Sequence, residues 1–149
     1  ISAALAATPP VAAVIASPAA RRRRLAERLA ARDCVPLGID PRLAELDFGA
    51  WEGRRWDTIP RAESDPWSAD PWRVAPPGGE RFADLHARVG AALAEAAEAA
   101  ALVTHAGPIR AARMILAGES FEAAFARPVP YAEPLAIGAE TEQDTRWPG

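Results

Sequence analysis

Ala101-Leu-Val-Thr-His105-Ala-Gly107-Pro108-Ile-Arg110-Ala-Ala-Arg-Met-Ile-Leu-Ala-Gly118 is the stretch whose reading decides the fold. The apolar run from Ala101 to Val103 is too short for a helix of its own and reads as a buried strand that ends at Thr104 and His105. The period then changes. Pro108 suits a first helical position, where a missing N–H is not needed, and Gly118 suits the close of that helix. His105 therefore falls where a strand passes into a helix. The backbone N–H groups from Ala106 onward point into the same space, which makes an anion site with a proton carrier in it. A lone histidine at a strand end is more often a packed or surface residue, so a second stretch is needed.

That stretch is Val11-Ala-Ala-Val-Ile-Ala16, again a short apolar strand, followed by Ser17, by Pro18 at a helix start and by a helix from Ala19 to about Ala31. Two strand–polar–proline–helix units place two helix N-termini at the carboxyl edge of one parallel sheet, where open α/β sheets bind ligands. Arg21 to Arg24 fan around the second helix at about 100° per residue, so they cannot all face one ligand. Arg21, four residues after Ser17, is expected over the strand end; the others are expected in solvent, with Glu27 as a partner.

The wider sequence narrows the class. The 149 residues suit one domain with a full core, and 50% are hydrophobic. All 17 basic residues are arginine, and the net charge of −3 argues against a nucleic-acid surface. The 15 prolines fall at helix starts and in one middle stretch, which does not read as disorder. The single Cys34 excludes an internal disulfide and reads as a buried or partly buried thiol in a reducing compartment. With no run of 18 or more apolar residues (the length that about 30 Å of bilayer requires) and no signal peptide, a cytoplasmic chain without membrane contact is expected.

Between the two units, Ile1 to Ala7 reads as a helix remnant with something absent upstream, and Pro36 to Ile39 as a second short strand. Leu43-Ala-Glu45-Leu-Asp-Phe-Gly49-Ala-Trp51-Glu-Gly53 has neither helical nor strand period and reads as a structured loop. Arg54 to Ile59 reads as a short helix stopped by Pro60, and Arg61 to Pro77 as a loop pinned by its indoles or a lid over substrate. The longest helix is expected from about Arg81 to Ala100, with Phe82, Leu85, Val89 and Leu93 as its apolar stripe and His86 exposed beside it. Running straight into the strand at Ala101, it leaves either a turn of alanines or missing residues. Phe121 to Ala126 reads as a short helix and Pro134 to Ile137 as a last strand; the tail from Ala139 carries no signal.

Ser17-Pro18 with Arg21, the loop Leu43 to Gly53, Pro77-Gly-Gly-Glu80 and Val103-Thr-His105-Ala-Gly107 stand in the order seen in the histidine phosphatase superfamily. The resemblance runs from about Val11 to Ile137. It implies a phosphoglycerate mutase-like fold, a three-layer α/β/α sandwich on a mostly parallel sheet, filling residues 1–149 as a single domain. Within the family, Trp51 to Trp67 and Leu25 look most like the α-ribazole phosphatase branch. The implied activity is hydrolysis of a phosphomonoester, α-ribazole 5′-phosphate in its narrow form, through a phosphohistidine. It needs no cofactor and no metal, and its partner is a small phosphorylated metabolite; an oligomer is compatible with it.

Carried over residue by residue, the resemblance makes Arg21 a clamp on the phosphoryl oxygens and Glu45 the general acid and base. His105 becomes the second histidine. Ser17, Ala106 and Gly107 join the phosphate site, with Trp51 and Glu80 as candidates for the substrate pocket. The chemistry is coherent: arginine, imidazole and helix N-termini can meet charge spread over phosphoryl oxygens, and a sugar alkoxide needs a proton donor to leave. One departure is plain. The chain has two histidines, and neither stands in the Arg-His-Gly context of the family's nucleophile. The expectation is a truncated or incompletely recorded phosphatase lacking its nucleophile strand, which holds phosphate weakly without turnover. The alternatives are a broad-specificity phosphatase or mutase, or an inactive relative that binds a phosphorylated ligand, or a partner through Trp67 and Trp72.

Overall fold

The computed structural model describes residues 2–138. Three parallel strands form its sheet: β1 (Ala13–Ala16), β2 (Leu37–Ile39) and β3 (Ala100–Val103), in the order β2-β1-β3. Parallel strands need crossovers, and helices supply them. After α1 (Ser2–Ala7), α2 (Ala20–Asp33) links β1 to β2. The path from β2 to β3 runs through three 3₁₀ turns (Pro41–Leu43, Gly49–Trp51, Trp56–Thr58), α3 (Arg61–Ala69) and α4 (Phe82–Glu95). After β3 come α5 (Ala106–Ala117) and α6 (Phe121–Ala126).

Two hydrophobic cores hold these elements. Val14, Ala16 and Val103 on the sheet pack with Ala26, Leu29 and Ala30 of α2. Small residues here let the helix lie close to the sheet. In the second core, Phe82, Leu85 and Val89 of α4 are nearly fully buried with Leu46 and Ala111 of α5. At about 1.5–3 kcal/mol for each large side chain removed from water, those three α4 residues are the main tie between α4 and α5. Phe121 and Phe125 of α6 meet Phe82 edge-to-face, with ring centroids 5.3 and 5.0 Å away.

Several expectations need correction. The helix after His105 begins at Ala106, so Pro108 is its third residue; its N–H would have no intrahelical acceptor anywhere in the first turn, and a proline is tolerated there. Gly118 closes α5 in the left-handed conformation at φ 66°. α2 begins at Ala20, which leaves Pro18 just outside it.

The middle is more regular than expected. Arg61–Ala69 is an α-helix, not a pinned loop, and Pro60 opens it rather than stopping the segment before. Arg54 to Ile59 holds only a 3₁₀ turn at Trp56–Thr58. α4 ends at Glu95, and the alanine-rich residues after it make the turn, with the amide of Ala100 donating to the carbonyl of Ala97 at 3.0 Å. Alanine favours helix locally, but pairing with β1 draws Ala100 into the strand.

Pro134 to Ile137 is not a strand; the tail from Ala139 onward lies outside the described residues. Cys34 is exposed, because it follows α2 in a left-handed turn at φ 55°. His86 is half-buried rather than exposed, its ring 5.3 Å from that of Trp72. Among the described residues no helix is long and apolar enough to cross a membrane.

Candidate active site

The register of the sheet assembles the site. Ala16 lies beside Val103, so the residues that follow, Ser17 and Thr104, are also neighbours, and the amide of Ser17 donates to the carbonyl of Val103 at 3.0 Å. One residue further on, His105 Nε2 stands 2.8 Å from the Oγ of the fully buried Ser17. That bond can run either way, with the proton on nitrogen or on oxygen. Ser17 Oγ also accepts a long bond from the Ala19 amide, at 3.4 Å, where α2 starts.

A loop brings the carboxylate. Asp40 caps the 3₁₀ turn after β2 by accepting from the Arg42 amide at 2.8 Å, and Thr104 Oγ1 donates to the Leu43 carbonyl at 2.6 Å. The loop is thereby tied to the end of β3. Two residues later, Glu45 Oε1 accepts from the amide of Gly107 and from its neighbour Leu46, each at 3.0 Å. The α5 N-terminus, read from sequence as a phosphate site at Ala106 and Gly107, thus already has a partner at Gly107: a carboxyl group of the chain itself. A Cβ on Gly107 would run into that carboxylate and into Leu85, which is why glycine stands there.

Around His105 the charge is mainly positive. Burial, and after it the guanidinium of Arg22, pull its pKa below the usual histidine value; Glu45 opposes this, and Arg21 and Arg88 add to the depression. These influences together favour the neutral imidazole. Arg22, in the first turn of α2, acts on His105 more strongly than Arg21, and its Nε is buried without a hydrogen-bond partner among the described residues. From the sequence, Arg21 is the residue expected there and Arg22 is expected in solvent. Arg21 itself is exposed, and Arg23 lies 3.7 Å from Glu27. Helical fanning gives no reason to prefer the fourth residue after Ser17 over the fifth, so the sequence could not separate the two arginines.

The structure brings Ser17, His105, Gly107 and Glu45 together, with Arg21 and Arg22 close enough to act on the imidazole. It does not bring in the two pocket candidates. The Glu80 carboxylate is engaged by Arg88 and by the amide of Asp47 at 3.1 Å. Trp51 is buried, donates from its indole to Glu63 at 3.2 Å, and packs edge-on against Trp56 and Trp67 with centroids 5.9 and 5.8 Å away. It lines a cavity of about 240 Å³ with Phe48, Glu52, Gly53, Arg54, Trp56 and Ile59, none of which belongs to the Ser17–His105 group. Among the described residues, no group of three or more His, Cys, Asp or Glu side chains is placed to hold a metal ion.

The fold that carries this site has counterparts among solved structures. The structure resembles the α-ribazole phosphatase of Shigella flexneri with a TM-score of 0.72 at 25% identity, over 82% of this chain and 64% of that one. It resembles the mycobacterial glucosyl-3-phosphoglycerate phosphatase Rv2419c at 0.69 and 26%, over 84% and 68%. For TTHB049 of Thermus thermophilus the values are 0.60 and 30%, over 80% and 68%. In sequence, the bifunctional protein Rv2228c of Mycobacterium tuberculosis is 39% identical over 84 residues, 53% of this chain. The match spans 22% of that relative's length, so the chain covers only part of it. The fold is phosphoglycerate mutase-like. The model of the histidine phosphatase superfamily, branch 1, matches residues 1–145, and the chain belongs to that family.

Proposed function

We propose that this chain forms the phosphate-holding and proton-donating part of a phosphatase for small phosphomonoesters, with α-ribazole 5′-phosphate as its substrate. The observation that carries this reading is the placing of Glu45 Oε1 on the Gly107 amide at 3.0 Å, two residues from an imidazole held 2.8 Å from Ser17. An acid and a phosphoryl-oxygen ligand then share one helix N-terminus. Arg21, Arg22 and a neutral His105 donating an N–H meet the equatorial oxygens of the transferred group, whose charge they stabilise. As the P–O bond breaks, the alkoxide takes its proton from Glu45; when water later attacks the phosphohistidine, Glu45 takes a proton back as the N–P bond breaks.

The attacking histidine implied by the family is neither of the two present. His105 occupies the second-histidine position, and His86 packs on Trp72. The first step therefore calls for a histidine outside these 149 residues. The likeness to the Shigella α-ribazole phosphatase supports the narrow substrate, and the mycobacterial glucosyl-3-phosphoglycerate phosphatase supports a sugar phosphate as the competing one.

The test is hydrolysis by the protein made from its complete reading frame, compared on α-ribazole 5′-phosphate, phosphorylated sugars and nucleotides. A kcat/KM for α-ribazole 5′-phosphate at least tenfold above the panel is expected. Equal rates across the panel would overturn the narrow substrate, and no hydrolysis of any member would favour the reading as a phosphate-ligand-binding relative.

A further inference from the structure

Arg88 stands on α4, outside the group around His105, yet its guanidinium is almost fully engaged by the loop that carries Glu45. Nη1 donates to the carbonyls of Arg42 and Ala44 at 2.6 and 2.8 Å, and Nη2 to the carbonyl of Glu45 itself at 3.0 Å. Nε donates to Glu80 Oε2 at 3.1 Å, and Nη2 also reaches Glu80 Oε1. Glu80 in turn takes the Asp47 amide at 3.1 Å and gives its own amide to the Asp47 carbonyl at 2.9 Å. One planar fork thus collects three carbonyls between residues 42 and 45, and its counter-ion holds the chain at 47.

This loop has no strand or α-helix to fix it. Arg42 anchors its start, bonding the mostly buried Asp40 at 2.8 Å and, at 2.7 Å, Glu95, which is 68% exposed, where an ion pair contributes little. Those bonds go to the side chains of residues 40 and 95, whereas Arg88 takes the carbonyls that lead to Glu45. The side chains of Arg88 and Glu80 are 22% and 20% exposed. A lysine could not replace this fork, since its three donors radiate from a single nitrogen.

We propose that Arg88 is a positioning residue: by holding the backbone of residues 42–45 it sets the Glu45 carboxylate on the α5 N-terminus, where it can reach the leaving oxygen. The proposal rests on the reading of Glu45 as the general acid. The structure also supplies a readout that needs no turnover. The amide of Gly107 lies in the first turn of α5, has no intrahelical acceptor, and donates to Glu45 Oε1 at 3.0 Å, so its exchange rate should report that contact. Anything that releases Glu45 exposes that amide.

The experiment is amide hydrogen exchange by NMR on this chain with Arg88→Met, Arg88→Lys and Glu80→Gln, alongside thermal melts. Exchange at Gly107 should rise about 10- to 100-fold in Arg88→Met, the range of a hydrogen bond to a charged group, and less in Glu80→Gln. Interior α5 amides such as Ala111 and Met114 should be unchanged. If Arg88→Met does not fold, the two milder variants carry the test. Folded variants with unchanged exchange at Gly107 would overturn the proposal.

The catalytic consequence is read separately, in the protein from its complete reading frame, as the dependence of kcat on leaving-group pKa. Arg88→Lys should steepen that dependence in the same sense as Glu45→Gln. A Glu45→Gln enzyme with an unaltered dependence would overturn the acid assignment. A steepened Glu45→Gln beside an unaltered Arg88→Lys would overturn the positioning role alone.

Discussion

Gly107→Ala isolates the contact between the α5 N-terminus and Glu45. Gly107 has no left-handed backbone, so alanine fits its conformation and, in a helix, is favoured over glycine by roughly 0.5–1 kcal/mol. Were the position merely helical, the variant would be more stable. The new Cβ, however, occupies the place of Glu45 Oε1 and lies 3.1 Å from Leu85 Cδ1. The carboxylate must leave the Gly107 amide, and a hydrogen bond to a charged group contributes about 1.5–3 kcal/mol. The difference is a net loss of about 0.5–2.5 kcal/mol, or a fall of roughly 1–10 °C in Tm for a domain of this size. Urea unfolding of the two proteins side by side measures it, with amide exchange at Leu46 reporting whether Glu45 has moved. A Gly107→Ala protein as stable as the parent or more so, with Leu46 exchange unchanged, would refute the reasoning that glycine stands there for Glu45.

Three further outcomes are expected. Arg22→Ala should weaken binding of inorganic phosphate by about tenfold or more, at least as much as Arg21→Ala; calorimetric titration of both variants decides the order. Burial pulls the pKa of both His86 and His105 down in the folded chain, so on acidification the unfolded state binds protons first. Stability should therefore fall as pH drops below about 6.5, by at most about 1.4 kcal/mol per pH unit for each group until its folded pKa is passed, and His105→Gln should flatten the slope seen in denaturant titrations at stepped pH. Gly49→Ala should cost roughly 2–4 kcal/mol in the same assay. Gly49 sits at φ 53°, and a Cβ there would strike the backbone of Pro77, Gly78 and Gly79.

What could be read from the residues alone was whatever local chemistry dictates. The two strand-to-helix passages at Ser17 and His105 were legible because short apolar runs, a polar residue and a proline follow each other in both. Gly118 was legible as a helix end because few other residues adopt its φ. What depends on distant neighbours was not. α3 carries Trp67 and Pro66 with only Ser64 buried, so it has no apolar stripe to betray it; its Trp67 ring packs instead on Phe48, Trp51 and Trp56 from another part of the chain. α4 ends short of the helix its alanines suggest, because alanine propensity is local, whereas the pairing of Ala100 with Ala13 is not. Arg88 had no signal in the sequence, since an arginine on an amphipathic helix reads as a solvated face, and nothing local says that three carbonyls lie 43 to 46 residues away.

The most direct measurement is a titration of this chain with inorganic phosphate, followed at the imidazole resonances of its two histidines across a range of pH. The His105 signals should shift and saturate, and phosphate should raise the pKa of His105, because a dianion among Arg21, Arg22 and Ser17 favours the charged imidazole. His86, packed on Trp72, should stay where it was. Phosphate that leaves His105 unmoved, or that shifts both histidines alike, would contradict a phosphate site at the carboxyl edge of β1 and β3.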